Sequence, residues 1–237
     1  MSTRRSYRYR VVDVFTTEPL EGNQLGVFPD SSGLDDATMQ KIAKELNVAE
    51  TTFFCPATRP GCIVRVRIFT PAREMPFAGH PTIGASFVLL DEGIVPKNTE
   101  SFTLDEAVGP VPVRVERGER PMIWLPTPPI TVGRKYDRAI CAQVLGLTPN
   151  DLLDVTPECV SAANPGVFIP VKDKQTVDRA SFDARSLPIL QGSDRDGIFV
   201  FVFTPTAEGA YSRMFAPDHG VPEDPATGSA TGPLARL

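Results

Sequence analysis

The chain has 237 residues, of which 41% are hydrophobic and 22% charged, with a formal net charge of −5. This composition supplies enough apolar material for a core and is not that of a disordered chain. The basic residues are scattered rather than clustered among aromatic residues, which argues against a nucleic-acid partner. No apolar run approaches the roughly 18 residues that a membrane helix needs, so we expect no membrane partner either.

The first predicted elements are two short apolar strands, at residues 11–15 and 25–28. A helix is predicted next, because Asp35 or Asp36 can serve as its N-cap and apolar residues then recur at helical spacing. These apolar residues are Met39, Ile42, Ala43 and Leu46. Asn47 is suited to end the helix, and strand-forming residues follow it.

Alternating apolar residues predict half-buried strands at 64–68 and 111–115. Between them, a helix is predicted to begin at Gly79. Its apolar residues cover most of its circumference, so we expect it to be enclosed on nearly all sides, with Gly84 and Gly93 permitting close packing and a stop. A sheet curled around a central helix fits this pattern. No glycine-rich phosphate loop follows a strand, which favours an α+β fold over a doubly wound parallel sheet.

Two segments of the first half recur in the second half. In one pair, three residues match without a gap, namely Phe69, Pro71 and Pro76 against Phe215, Pro217 and Pro222. Three inserted residues then align Gly79-His80 with Gly228-Ser229. In the other pair, the segment from Asn23 matches the segment from Asn164 if the later one is a residue shorter. Two recurrences in the same order predict a duplication, with lobes at 1–118 and 119–237.

The start of the helix at Gly79 is a candidate anion site. Pro81 occupies a position where a first-turn proline is tolerated, and the free amides and dipole of a helix start suit a carboxylate. Gly228 stands at the equivalent place in the second copy. The repeat therefore predicts a paired anion site, whereas a single Gly-His-Pro would be read as a tight turn into a helix.

The sulfur and imidazole groups do not predict a metal site. The four cysteines form no C-x-x-C pair and neither histidine lies close to them in sequence, so structural zinc is not expected. The six residues are Cys55, Cys62, Cys141, Cys159, His80 and His219. Free thiols of this kind are typical of a reducing compartment, and we expect a cytoplasmic protein.

Several spaced motifs resemble the PhzF-like family of phenazine biosynthesis, which has the diaminopimelate epimerase fold. They are Gly22-Asn23, the stretch 43–53 around Glu45, and the stretches 67–71, 76–82 and 223–233. The resemblance implies two similar lobes, each a curled β-sheet around a central α-helix, with the active site between them. It also implies a homodimeric isomerase that acts on a small carboxylate-bearing substrate without a metal or another cofactor.

The resemblance assigns the site residues as well. Glu45 is the implied acid–base residue, and His80, Asp224 and Ser229 are its polar companions around the substrate. Asn23, Gly79 and Gly228 are the implied substrate-binding positions. Because Glu45 follows Ile42 at the edge of the apolar stripe, we expect its carboxyl to be partly desolvated and able to accept and return a proton.

Other interpretations of these acids stay open. A helical glutamate is more often a solvated surface residue than a catalytic one. Glu50 is the rival acid, although its place between a helix and a strand requires no special role. A single carboxyl predicts a 1,3-hydrogen shift, as in trans-2,3-dihydro-3-hydroxyanthranilate isomerisation by the family's namesake.

Competing functions are weighed on the same residues. The two-thiol racemases of this fold carry cysteines where this chain has Gly79 and Gly228, which disfavours that reaction. A triad of Ser229, His80 and Asp224 is disfavoured because threonines replace both glycines of a nucleophile elbow. A non-catalytic two-lobed binding protein and an epimerase of another amino acid remain as alternatives. The resemblance also implies that the second lobe is C-terminally truncated, since the family continues beyond the helix at Gly228.

Overall fold

The computed structural model describes residues 5–118, 122–191 and 197–237, and the chain forms two compact units, Met1–Pro126 and Thr127–Leu237. The strands of the first unit are β1 (Arg10–Val14), β2 (Asn23–Phe28), β3 (Glu50–Cys55), β4 (Arg65–Phe69), β5 (Glu74–Met75), β6 (Ser101–Glu106), β7 (Gly109–Glu116) and β8 (Met122–Trp124). Its helices are α1 (Asp36–Leu46) and α2 (Gly79–Asp91). The strands form one sheet in the order β1-β2-β3-β4-β6-β7-β8, with β5 paired to β4.

Helix α1 begins and ends at the predicted caps. The side chain of Asp35 accepts a hydrogen bond from the Thr38 amide at 2.7 Å, which satisfies one of the free N–H groups of the first turn. Asn47 ends the helix in the left-handed conformation at φ 52°. Met39 and Ala43 face inward and are buried, as the helical spacing predicts.

Helix α2 is the central helix of the first unit, and it packs against β1 to β4 and β8. Its sheet-facing side is closely packed, since a Cβ at Gly84 would lie 2.5 Å from Leu25 Cδ2. Gly93, at φ 70°, follows the helix and confirms the predicted stop. The enclosure is less complete than the sequence predicts, because Phe87 is 47% exposed.

The second unit contains a six-stranded sheet in the order β14-β13-β12-β11-β10-β9. Its strands are β9 (Ile130–Lys135), β10 (Glu158–Ala162), β11 (Asn164–Pro170), β12 (Phe199–Thr206), β13 (Gly209–Ala216) and β14 (Val221–Asp224). Its helices are α3 (Arg138–Val144), α4 (Lys174–Arg179), α5 (Leu187–Gln191) and α6 (Thr231–Arg236). One apolar core lies between the sheet and α3 to α5, and another forms on β10 to β14 with the start of α6.

The boundary between the units lies later than the sequence predicts. It falls between Pro126 and Thr127 rather than near Gly118. The reason is β8, which pairs with β7 in antiparallel register and so extends the first sheet. Residues 119–121, next to the predicted boundary, lie outside the described residues.

The two sheets repeat one arrangement. In the first unit, β1 to β5 are joined by antiparallel, parallel, antiparallel and antiparallel pairings. In the second unit, β10 to β14 are joined in the same series. The duplication predicted from short sequence matches is therefore present in the fold.

An arginine in each sheet shows which residues are equivalent. Arg67 forms a two-pronged ion pair with Glu74 and stacks over the ring of Phe69. Arg213 forms the same pair with Glu223 and stacks over Phe215. The predicted match of Phe69 with Phe215 is confirmed by these contacts.

The same contacts correct the predicted alignment at the prolines. Since Glu74 corresponds to Glu223, the extra residues of the second copy lie in the turn between β13 and β14. Pro76 then corresponds to Pro225, and its predicted match with Pro222 is wrong. The match of Gly79 with Gly228 remains correct, because the extra residues of the second copy precede Gly228.

Strand register corrects the other predicted alignment. Arg67 lies opposite Phe53, which lies opposite Phe28 on β2. In the second sheet, Arg213 lies opposite a residue of β12 that in turn lies opposite Ile169 on β11. Asn23 and Asn164 are therefore equivalent with no residue deleted between them and these positions. The shared Gly-Val-Phe that suggested a deletion is out of register by one position.

Among the described residues, no helix is long and apolar enough to cross a membrane.

Candidate functional site

His80 is the most enclosed of the predicted site residues that carry a titratable group, with 4% of its surface exposed. It lies in the first turn of α2, whose N-cap, Ala78, provides no side-chain cap. His80 Nδ1 lies 3.0 Å from Glu50 Oε2, at ion-pairing distance. The other ring nitrogen, Nε2, is buried and hydrogen-bonds to no residue that the structure describes. A buried imidazole nitrogen in this state is available to a ligand.

The partnership with Glu50 is a feature that the sequence interpretation missed. Glu50 opens β3, an otherwise strand-forming segment whose next residues, Thr51 and Thr52, are fully buried. An acid at the start of such a strand is placed at a sheet edge beside the following elements. The position of Glu50 at the start of a buried strand was the signal in the sequence, but it did not identify His80 as the partner.

Phe15 is a second residue that sequence reasoning missed. Its ring centroid lies 6.3 Å from that of His80, with the planes tilted by 52°. Its backbone has φ 66°, a conformation that bulky residues rarely adopt, and 49% of its surface is exposed. Phe15 is therefore a strained, half-exposed aromatic neighbour of the buried His80.

Glu45 lies in the last turn of α1 and is exposed. Its position outside the buried stripe of Met39 and Ala43 explains this exposure, so the expected partial desolvation is absent from the unit itself. Glu45 forms no ion pair or side-chain hydrogen bond with any residue in the described part of the chain. The carboxyl is therefore open to a substrate.

Asn23 and Gly79 occupy element starts in the first unit. Asn23 is the first residue of β2 and is 1% exposed, paired in register with Val14. Gly79 is the first residue of α2 and is buried. Helix α2 has 13 residues, so its first-turn amides carry the full N-terminal dipole.

In the second unit, Asp224 ends β14, and its Oδ2 accepts a hydrogen bond from Thr227 Oγ1 at 2.5 Å. Gly228 and Ser229 follow in a 3-10 turn, Gly228–Ala230, which leads directly into α6. Ser229 is partly buried. The predicted helix at Gly228 thus begins as a tighter turn, and this unit brings Asp224, Gly228 and Ser229 together within one short segment.

The remaining candidate chemistries find no support in the geometry. The Nδ1 atom that a hydrolase triad would direct at Asp224 is instead beside Glu50. The thiols stand away from both helix starts in sequence, and burial raises the pKa of the Cys141 thiol, in α3, to about 12. Within the described residues, no group of three or more His, Cys, Asp or Glu side chains could hold a metal ion.

A surface pocket lies elsewhere in the first unit. It is lined by the N-terminal segment 5–8 and by Pro29, Asp30 and Ser32. None of the predicted site residues takes part in it, and its lining offers no acid–base group close to an imidazole.

Comparison with known proteins identifies the family that this chain is similar to. The sequence model of a family described as phenazine biosynthesis-like protein matches residues 12–237. An uncharacterized isomerase of Mesorhizobium japonicum is 37% identical over 249 residues, covering 99% of this chain and 80% of the relative. A trans-2,3-dihydro-3-hydroxyanthranilate isomerase of Pseudomonas aeruginosa is 35% identical over 232 residues, covering 97% and 78%.

Solved structures show the same relationship. A phenazine biosynthesis protein of the PhzF family from Bacillus anthracis superposes with a TM-score of 0.81 at 26% identity, covering 97% of this chain and 77% of that one. A predicted epimerase from Pseudomonas aeruginosa gives 0.81 at 34% identity, covering 98% and 80%. A probable proline racemase from Agrobacterium radiobacter gives 0.59 at 14% identity over 86% and 69%, a likeness of fold alone.

Proposed function

The chain belongs to the phenazine biosynthesis-like protein family and is an isomerase of the PhzF type, and we propose that it moves a proton between two carbons of a small cyclic amino or hydroxy acid. The substrate carries a carboxylate and an allylic C–H bond. The relatives named as trans-2,3-dihydro-3-hydroxyanthranilate isomerases make that compound the first one to test.

The observation that carries the proposal is the state of His80. Its Nε2 atom is buried without a partner in the described chain, and a buried polar atom in that condition costs free energy unless a ligand satisfies it. It belongs to the residue that follows Gly79 at the start of α2. An anionic ligand at this helix start would receive the imidazole and the first-turn amides together.

The substrate carboxylate is proposed to bind at the amides of Gly79 and Gly228. These residues are equivalent in the duplicated fold, and each opens a helical segment that follows the last strand of the repeated series, β5 or β14. Asn23, buried at the start of β2, is proposed to assist in binding. Hydrogen bonds from fixed amides need little reorganisation when the charge of the substrate changes.

Glu45 is proposed to be the proton carrier. As a carboxylate it removes the proton from the activated allylic carbon, and the electron pair of that bond delocalises over the adjacent double bond. The resulting glutamic acid, whose proton exchanges with solvent, delivers a proton to the distal carbon, so that the double bond has moved and the substrate has neither gained nor lost an atom. Because Glu45 is exposed in the unit itself, the bound substrate must provide the desolvation that favours proton exchange.

His80 and Ser229 are proposed to stabilise the delocalised intermediate by hydrogen bonding. Glu50 Oε2 lies at ion-pairing distance from Nδ1 of His80, and Nε2 is proposed to be the atom that bonds to the substrate. Asp224, held by Thr227, is proposed to orient an amino or hydroxyl group of the substrate. Dimer formation is a separate part of the proposal, and light scattering of the purified chain tests it.

The experiment that tests the reaction is deuterium incorporation from D₂O, followed by NMR. We expect trans-2,3-dihydro-3-hydroxyanthranilate, or one of a panel of cyclic amino and hydroxy acids, to gain deuterium at an allylic carbon. Glu45→Gln should lower the rate at least ~10²-fold, because an amide cannot exchange the proton. Glu100→Gln, an exposed glutamate outside the predicted site, is the matched control and should exchange at the wild-type rate.

Three results would contradict the proposal. Deuterium exchange by Glu45→Gln at the wild-type rate would show that Glu45 is not the proton carrier. Exchange at the α-carbon, with racemisation and no movement of a double bond, would make the protein an epimerase. Binding of the panel compounds without exchange at any carbon would support a binding protein of the same fold.

A further inference from the structure

Glu106 is a buried acid that the proposed reaction does not use. It is the last residue of β6 and has no exposed surface. Its side chain lies on the same face of the strand as those of Phe102 and Leu104, which belong to the apolar core around α2. Glu106 Oε1 lies 2.7 Å from Thr82 Oγ1, in the first turn of α2.

The hydroxyl of Thr82 has two partners but only one hydrogen. Besides Glu106, it lies 2.7 Å from the carbonyl oxygen of Ala78, the N-cap of α2. A carbonyl can only accept, so both contacts carry a hydrogen only if the hydroxyl of Thr82 donates to Ala78. The contact to Glu106 then needs a donor on the glutamate side, which only a protonated carboxyl provides. An ionised Glu106 would leave one of two 2.7 Å contacts without a hydrogen.

The surroundings of the carboxyl agree with a neutral acid. Oε2 of Glu106 is buried and has no hydrogen-bond partner among the described residues. The neighbouring cation, Arg59, donates to the main-chain oxygen of Glu106 at 2.7 Å and pairs with the carboxylate of Asp105. Burial raises the pKa of Glu106 from its ordinary value of 4.5 to about 8.

Several charged and titratable groups lie on the elements that adjoin Glu106. On β6 and the loop before β4, Asp105 and Arg59 neutralise each other, and Arg65 of β4 lies in register with Asp105. Gly109 of β7 lies opposite Glu106 and carries no charge. In the first turn of α2, His80 lies two residues before Thr82 and pairs with Glu50 of β3.

We propose that Glu106 is a positioning residue, kept as a neutral carboxylic acid that donates a hydrogen bond to Thr82 and thereby fixes the first turn of α2. The chain of contacts runs from Glu106 through the Thr82 hydroxyl to the Ala78 carbonyl, which is directly followed by Gly79 and His80. Its role in positioning the substrate rests on the proposed function, whereas the protonated state and the bracing of the helix do not. Ionisation of Glu106 would remove the donor and loosen this turn.

Glu106→Gln tests the protonated state, because the amide keeps a donor and cannot ionise. Urea unfolding of both full chains between pH 5 and pH 9 gives the ratio of their unfolding constants. A folded-state pKa above the unfolded value makes wild type lose stability as pH rises between the two values, so the ratio of wild type to variant should rise up to ~10-fold per pH unit toward pH 8. A ratio independent of pH, or one that rises toward acid, would overturn the proposal.

Infrared spectroscopy of the wild-type chain gives a second measurement that needs no stable variant. At pH 6.5 we expect the C=O stretch of a protonated carboxyl, which disappears with an apparent pKa near 8. A spectrum at pH 6.5 in which every carboxyl is ionised contradicts a neutral Glu106.

Hydrogen exchange and kinetics test the positioning role. Glu106→Leu removes the donor at similar volume, and the amides of Thr82 and the next turn of α2 should exchange ~5-fold faster, the factor that one net hydrogen bond provides. Glu106→Gln should restore wild-type exchange and a wild-type KM at pH 7, whereas Glu106→Leu should raise KM more than it lowers kcat. If amide exchange in Glu106→Leu were unchanged, Glu106 would not be a positioning residue for the first turn of α2, even if the isomerase reaction itself were confirmed.

Discussion

The two halves of the chain share the same series of strand pairings, but the helical segments that follow these strands begin differently. Helix α2 begins directly at Gly79 and continues for 13 residues. Its counterpart begins as the 3-10 turn Gly228–Ala230 before α6. The residue after each glycine is His80 in the first half and Ser229 in the second.

The polar side chains around these starts have diverged further. In the first half, Thr82 is fully buried and contacts Glu106, whereas its equivalent in the second half, Thr231, is exposed. In the second half, the carboxyl at the helix start is Asp224, held by Thr227. Duplication has thus kept the backbone that presents free amides, while the two halves carry different acid–base and hydrogen-bonding groups.

The largest effect that separates the two halves is expected at His80 and Ser229. His80→Asn should lower kcat/KM for deuterium exchange by ~10²-fold, because it removes a buried hydrogen-bonding group from a site of low dielectric. Ser229→Ala should cost ~10-fold, since Ser229 is only partly buried and a hydroxyl contributes less than an imidazole. Rates measured over a range of substrate concentrations separate KM from kcat.

Ser101→Ala is the control for that pair, since Ser101 is an exposed serine at the start of β6. Its kcat/KM should equal that of wild type. A larger loss in Ser229→Ala than in His80→Asn would reverse the comparison and make the second half the main source of stabilisation.

Local sequence patterns predict the helix caps well. Asp35 and Asn47 end α1 as expected, because capping depends on residues within one turn of each other. The residues paired across strands are harder to find, as the incorrect matches of Pro76 with Pro222 and of the segments after Asn23 and Asn164 show. Register depends on contacts such as that of Arg213 with Glu223, which the chain order does not reveal.

The site residues divide in the same way. The motifs predict His80, Asp224 and Ser229, whereas the contacts of Glu50 and Phe15 with His80 join residues of different elements. The sequence also does not predict that the pKa values of two adjacent acids, Asp105 and Glu106, shift in opposite directions. Burial is offset for Asp105 by hydrogen bonds from Thr58 and Arg59, which hold its pKa at about 2. On the other face of β6, the carboxyl of Glu106 hydrogen-bonds only with the Thr82 hydroxyl among the described side chains, and burial raises its pKa to about 8.

Close packing offers a second contrast between the halves, at Gly84 of α2 and Gly232 of α6. A Cβ at Gly84 would lie 2.5 Å from Leu25 Cδ2 and 2.9 Å from Val14 Cγ2, both in the core. Gly84→Ala should lower the free energy of unfolding by about 2 kcal/mol, after a gain of at most about 1 kcal/mol in helix propensity. Urea unfolding measures the change.

Gly232→Ala is the matched variant. Its Cβ would lie 2.2 Å from Thr127 Cγ2, but Thr127 is exposed and its side chain can rotate away. We expect a change within about 0.5 kcal/mol of zero. Equal losses in the two variants would show that the second helix is packed as tightly as the first.

The smallest expected difference concerns the equivalent arginines. Arg67 bonds to both oxygens of Glu74 and also to Asp36, whose side chain is 84% exposed. Arg213 bonds to both oxygens of Glu223, whose pKa it holds below the ordinary value, and donates to main-chain carbonyls around the end of α4. Lysine keeps the charge but cannot make a two-pronged contact.

Arg67→Lys should therefore cost about 1 kcal/mol and Arg213→Lys about 1.5 kcal/mol, because the second also loses donors to the carbonyls near α4. Arg8→Lys, at a pair in which the arginine is 70% exposed, should change stability by less than about 0.5 kcal/mol. The cost at Arg67 should shrink more in 1 M NaCl than the cost at Arg213, since salt screens the exposed Asp36 but not a bond to a main-chain carbonyl. Equal costs with equal salt dependence would show that the carboxylate pair alone decides the stability at both sites, and that the carbonyl contacts of Arg213 contribute nothing of their own.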